Sequence, residues 1–214
     1  MSFAPAYVGV CDGCDFSDRN MQHWRLDRTS FPSTDFSSSN MSRLSAISAD
    51  FSGAIFRNAR LKRAVLSNAT LIGANFEAAS LTDARANGAD LSEVIATDAT
   101  LAGAHFIGAN LFAADLSGAR ASRTDFSSAS MMGVRLQNAT LREAVFDGAN
   151  LIGASLNHTD LTNASFVNAR LGNANFVGAI GLDTADFAGA CRTGGTLFPD
   201  DTFVETLSLC APEG

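Results

Sequence analysis

The sequence predicts an all-β solenoid in which the chain winds as a closed, four-sided coil, and two regularities lead there. From Phe16 to Phe176 every fifth residue forms a series of 33 centre positions, of which 29 hold Leu, Phe or Met. The exceptions are Ala46, Ala86, Ala96 and Ala121. Two positions before each centre stands a small residue: of the 26 such positions from Ala49 to Ala174, 22 are Ala, the departures being Val94, Thr124, Val134 and Thr159. The other three positions of each unit carry mainly Ser, Thr, Asn, Asp, Gly and Arg, residues that belong in water.

A strict period of five fits neither a helix at 3.6 residues per turn nor a strand alternating at two. It fits a coil whose every side is one five-residue unit, so that four units return the chain to its starting point with all large centres pointing inward. The small residue must point inward too, because only a methyl group fits beside Leu or Phe in so narrow a bore. Successive coils then stack through backbone hydrogen bonds at about 4.8 Å. Grouping the centres by twenty supports four units per coil. One series opens Phe16, Phe36, Phe56, Phe76, and another contains Phe106, Phe126, Phe146, Phe166, so rings fall one above another.

Units such as Ala74-Asn75-Phe76-Glu77-Ala78 and Ala149-Asn150-Leu151-Ile152-Gly153 resemble the pentapeptide repeat family, whose pattern is Ala-(Asp/Asn)-Leu-x-x. The resemblance implies a right-handed four-sided parallel β-helix of about nine coils over residues 14–190, between an N-terminal cap at 1–13 and a C-terminal cap at 191–214. The family includes DNA-mimicking proteins that bind topoisomerases and confer quinolone resistance, so a gyrase-binding inhibitor is one functional expectation.

In chain order, residues 1–13 precede the beat, and Phe3, Tyr7, Val8 and Val10 are suited to cover the first coil. The first small positions hold Cys14, Arg19 and Trp24; the last two exceed a bore sized for Ala, which predicts a wider or distorted coil around them with Trp24 as a plug. At Leu44-Ser45-Ala46 the large and small positions are exchanged, conserving inward volume, and Val94-Ile95-Ala96 does so more weakly. Ala84 with Ala86 and Ala119 with Ala121 have no such compensation and predict under-filled coils. The beat slips by one residue near Gly178-Ala179-Ile180-Gly181 and ends after Ala190. Pro199-Asp200-Asp201 reads as a turn and 202–209 as a short strand.

The 214 residues suit one domain with a continuous core. No stretch has the roughly 20 apolar residues of a membrane span, and the N-terminus lacks the pattern of a secretory signal, so a soluble cytoplasmic protein is expected. Of the formal charge of −7, the chain from Asp183 onward carries six acids and one base, leaving a shaft with 16 acids and 14 bases. So balanced a shaft predicts no nucleic-acid binding and imitates a phosphate backbone poorly.

Chemistry is sparse. Cys11 and Cys14 fall on a centre and a small position and read as buried small hydrophobes. They lie about 40 Å from Cys191 and Cys210, too far for one metal site. Cys191 and Cys210 are candidates for a disulfide, which needs an oxidising compartment. His23, His105 and His158 lie many units apart and do not converge. The residues therefore predict no enzyme, no cofactor, no metal and no small-molecule substrate, but a rigid scaffold that binds a protein partner or a second copy of itself. Its candidate surface is one outward column containing Ile72, Phe112, Met132 and Ile152, the last three on consecutive coils.

Overall fold

The structure, a computed structural model, describes residues 9–199 and 207–210. Each five-residue unit closes as a β-turn: the centre carbonyl accepts from the amide of the next small residue, as Phe51 does from Ala54 at 3.0 Å. The residue before that small position has positive φ in every unit from Gly13 to Gly178, including Asn58 at 57° and Gly73 at 63°. Asn, Asp and Gly recur there because they tolerate the left-handed region best. The Asp or Asn preceding a centre accepts the amide two residues on, as in Asn75 with Glu77 at 2.9 Å, which sets the chain into the turn.

Parallel bridges join residues twenty apart without interruption from Val10↔Ser30 to Asp160↔Ile180, so four units make one coil. The four sides take their names here from their first regular centres: the Phe16, Met21, Leu26 and Phe31 sides. The Met21 and Phe31 sides stand opposite one another. Coils are tied by repeated backbone bonds, for example Phe51 N–H to the Thr70 carbonyl at 2.7 Å and Thr70 N–H to the Ala49 carbonyl at 2.9 Å.

The bore is filled as the periodicity requires. Rings stack along three sides, Phe36 on Phe56 at 5.1 Å, Phe126 on Phe146 at 5.2 Å and Phe31 on Phe51 at 5.9 Å, and neighbouring sides meet edge to face, as Phe51 and Phe56 do at 5.4 Å. Leu44 and Ala46 are both fully buried, as their exchange of size predicts. Thr124 and Thr159 replace Ala by sending their hydroxyls to the backbone carbonyls of Leu101 and Leu156, at 2.9 and 2.7 Å. A dry cavity of about 10 Å³ lies beside Val94 and Ala96, where the size exchange is weaker.

The first coils differ from expectation. Bridges Asn20↔Asn40 and Arg25↔Ser45 keep the twenty-residue interval of the later coils, so no residue is added around Arg19 and Trp24. Arg19 is exposed and Trp24 half-buried, lining a hollow of about 430 Å³ with Asp15, Phe16 and Asn20. Cys11 and Cys14 are half-buried and joined as a disulfide with Cα atoms 5.7 Å apart, instead of standing as separate small hydrophobes. Of the expected N-terminal cover, Phe3, Tyr7 and Val8 lie outside the described residues, and Val10 is exposed.

At the other end the ladder outlasts the beat. Ile180 still pairs at twenty, the extra residue enters between it and Asp186, and a second enters between Cys191 and Leu197, which pairs with Asn175. Gly181 is needed at the first slip: a Cβ there would stand 2.5 Å from the Thr162 nitrogen. The coil nevertheless closes, because Phe187 stacks on Phe166 at 4.8 Å and Phe198 on Phe176 at 4.9 Å. Strand β1, Cys191–Arg192, pairs in parallel with β2, Ser208–Leu209. A disulfide joins Cys191 to Cys210, with Cα atoms 4.7 Å apart. The turn expected at Asp200 and Asp201 and the strand expected over 202–206 lie outside the described residues.

Candidate interaction surfaces

The residue after each centre points out of the coil. On the Phe31 side this column places Phe112, Met132 and Ile152 on consecutive coils, held in register through their own backbones. The carbonyl of Phe112 accepts from Glu93, that of Met132 from Ala113 and that of Ile152 from Gly133, each at 2.9 Å. Asn110 and Asn150 accept the amides of Phe112 and Ile152 at 3.2 and 3.3 Å, fixing the turns that present these side chains.

Phe112 is 47% exposed, while Met132 and Ile152 are half-buried. The space beside them is open: a Cβ on Gly133 would meet nothing within 4 Å. Ile72 is 41% exposed but stands apart, with Ser92 between it and Phe112 in the column. The column ends at Gly172, which is buried with Thr193 against it. The same side carries Asp50. Burial raises its pKa, but the hydroxyl and amide of Ser52 and the hydroxyl of Ser30 donate to it and hold it below the usual carboxylate range.

Charge is sorted by side, which the near-neutral sum for the shaft conceals. Between residues 19 and 163 the Met21 side holds eight bases and three acids. The Phe31 side, between residues 9 and 173, holds four acids and one base, and the Phe16 side, between 14 and 178, six acids and two bases. A search by sequence order finds this only once the twenty-residue coil is known. Where the Met21 side turns into the Leu26 side, Arg63, Val65, Asp83, Arg85, Gly103 and His105 frame an open hollow of about 350 Å³.

Among the described residues the three histidines do not converge on one surface. His105 lies 4.0 Å from Asp125, while His23 and His158 belong to distant coils. Among the described residues no cluster of three His, Cys, Asp or Glu side chains could hold a metal ion, and no helix is long and apolar enough to cross a membrane.

Two models of one family match the sequence: "Pentapeptide repeat region" over residues 99–176 and "Pentapeptide repeats (8 copies)" over 47–83, 59–95 and 74–111. A sequence search of curated proteins finds no match. Among solved structures the chain is similar to HetL, a pentapeptide repeat protein involved in heterocyst differentiation regulation from the cyanobacterium Nostoc sp. strain PCC 7120. Identity is 28%, TM-score 0.50, and 91% of each chain is covered. Full-length QnrB1, a plasmid-mediated fluoroquinolone resistance protein, shares the fold at 17% identity and a TM-score of 0.52, covering 89% of this chain and 94% of its own. The uninterrupted twenty-residue ladder, the five-residue grid of the bore and these matches agree: the chain belongs to the pentapeptide repeat family and folds as its right-handed four-sided β-helix.

Proposed function

We propose that this chain is a non-enzymatic rigid scaffold whose Phe31 side docks a protein partner or a second copy of the chain, with Phe112 as the anchor. The observation that carries the reading is the line of Phe112, Met132 and Ile152 on consecutive coils, about 10 Å long at strand spacing. A large ring flanked by flexible and branched apolar side chains on a flat, rigid support loses little conformational entropy on docking. Changing Phe112 and Met132 together to Ser leaves the melting temperature nearly unchanged and weakens self-association in sedimentation or retention of the native partner. Loss of neither removes this surface from the reading.

A second reading, a gyrase-binding inhibitor, draws support from the Phe16 side, whose six acids and two bases lie along one side of the rod. Two of these acids are committed to neighbouring cations, Glu77 to Arg57 at 3.0 Å and Asp115 to Arg135 at 2.8 Å, which weakens the resemblance to a continuous phosphate row. The uninterrupted coils from Phe16 to Phe176 also leave no inserted loop to reach into an enzyme. Gyrase supercoiling titrated with the purified protein, with and without a fluoroquinolone, separates the two: inhibition or protection favours the second. As to compartment, the two disulfides fit an oxidising environment better than the cytoplasm expected from the sequence.

A further inference from the structure

The Met21 side is the most strongly charged surface of the rod, and its cations are largely uncommitted. Among the described residues Arg43, Arg60, Lys62, Arg120 and Arg123 are exposed and make no ion pair, whereas Arg63 and Arg142 pair with Asp83 and Asp160 at 3.4 and 3.2 Å. Arg19, also exposed, stands on the first described coil, and the other five form two groups. Arg60 and Lys62 share one coil with Arg43 on the coil below, and Arg120 and Arg123 share a coil three further on, about 14 Å away at strand spacing. Between the groups the outward positions hold Ser80, Thr82, Thr100, Ala102 and Gly103, which are short enough to let a chain lie flat, and Asp83, whose carboxylate is paired with Arg63. Arg85 and the corner hollow flank the same stretch.

We propose that the Met21 side is a second docking side, opposite the Phe112 line, and that it takes an extended acidic segment of a partner protein. An extended chain rises about 3.3 Å per residue, so carboxylates four residues apart on one face reach both cation groups at once. Carboxylates suit this side better than a nucleic acid for two reasons. Its outward positions between residues 19 and 163 include no Phe, Tyr or Trp on which a base could stack, and the single imidazole there, His23, stands on the first described coil, before the first of the cation groups. The adjoining Phe16 side, with its six acids, would also lie beside the second strand of a broad duplex. The proposal extends the reading as a protein-binding rod but rests on different residues. Together the two sides would let one rod hold two partners.

The test is fluorescence anisotropy of a labelled glutamate peptide of about ten residues, long enough to span both groups, with single-stranded and duplex DNA of similar length as the competing arm. The wild-type chain binds the peptide, and binding weakens as salt is raised. Arg60→Glu with Lys62→Glu lowers the affinity about ten-fold or more, and so does Arg120→Glu with Arg123→Glu. Both pairs are exposed, and unchanged melting temperatures show that the fold is intact. The Phe112→Ser, Met132→Ser variant binds the peptide as the wild type does, so failure of either surface is distinguishable from failure of the other. No peptide binding, unchanged binding in both charge-reversed variants, or tighter binding of DNA than of the peptide overturns the proposal.

Discussion

Phe56 and Phe76 stand twenty residues apart in sequence, yet their rings stack with centroids 4.6 Å apart and planes 5° from parallel. Such a pair adds about 0.5–1.5 kcal/mol beyond burial, and it leaves no slack for extra volume beside it. Ala109 and Ala149, both fully buried, are therefore expected to resist enlargement. Ala109→Leu or Ala149→Leu destabilises the protein by about 1–3 kcal/mol in denaturant unfolding. Thr97→Ala, on an outward position, changes stability by no more than about 0.5 kcal/mol. Equal tolerance at all three sites would contradict the inward placement of the small residues.

Ser39 occupies a small position in the bore, and its buried hydroxyl has no hydrogen-bond partner. Ser39→Ala removes that unsatisfied group at nearly constant volume and raises stability by about 1 kcal/mol. Thr124→Ala, which deletes a satisfied hydroxyl, moves stability the other way by a similar amount. A Ser39→Ala variant less stable than the wild type would mean that the hydroxyl is solvated or paired in solution.

The C-terminal closure depends on Cys191 and Cys210, nineteen positions apart, which hold β2 against β1. Replacing Cys210 with Ser relaxes that loop in the unfolded chain and costs about 3 kcal/mol on the chain-entropy account. Deleting residues 192–214 also removes Phe198 from its stack on Phe176 and bares the last edge, so the truncated rod aggregates or associates end to end. Light scattering reads this directly, and a soluble truncated rod of unchanged stability would show that the segment does not close the helix.

Asp50, Asp115 and Asp160 contribute to the acid limit, as do Asp15 and Asp27, whose pKa values are also lowered. For each of the first three, burial raises the pKa, but hydroxyl and amide donors from Ser52, Ser117 and Thr162 outweigh it, with Arg135 and Arg142 adding to the last two. Their folded pKa values lie below the unfolded value, so the stabilisation is complete above about pH 4 and is lost as pH falls through the folded values. Asn at positions 50 and 115 keeps the oxygen that caps the turn and does not titrate. The double variant therefore loses less stability between neutral pH and the acid limit than the wild type, as thermal unfolding across that range measures.

Much of this molecule was legible in one dimension because each inward position recurs at a fixed interval. A side chain that must lie in a bore one methyl wide cannot vary, so Leu, Phe and Ala at every fifth residue declare the coil. The outward line of Phe112, Met132 and Ile152 followed by counting twenties. The arithmetic failed where the interval did: Phe198 was invisible as a centre because two added residues, one on each side of Cys191, moved it off the grid, and only its stack on Phe176 restores it to the core. The pairing of Cys11 with Cys14 likewise depends on a turn that brings their Cα atoms within 5.7 Å, a distance that periodicity does not set. The sorting of charge follows from the same count of twenty, but only when charges are summed side by side. Composition sums over the whole chain, whereas a partner meets one side at a time, and the coil carries Arg43, Arg60, Lys62, Arg120 and Arg123 onto the same one.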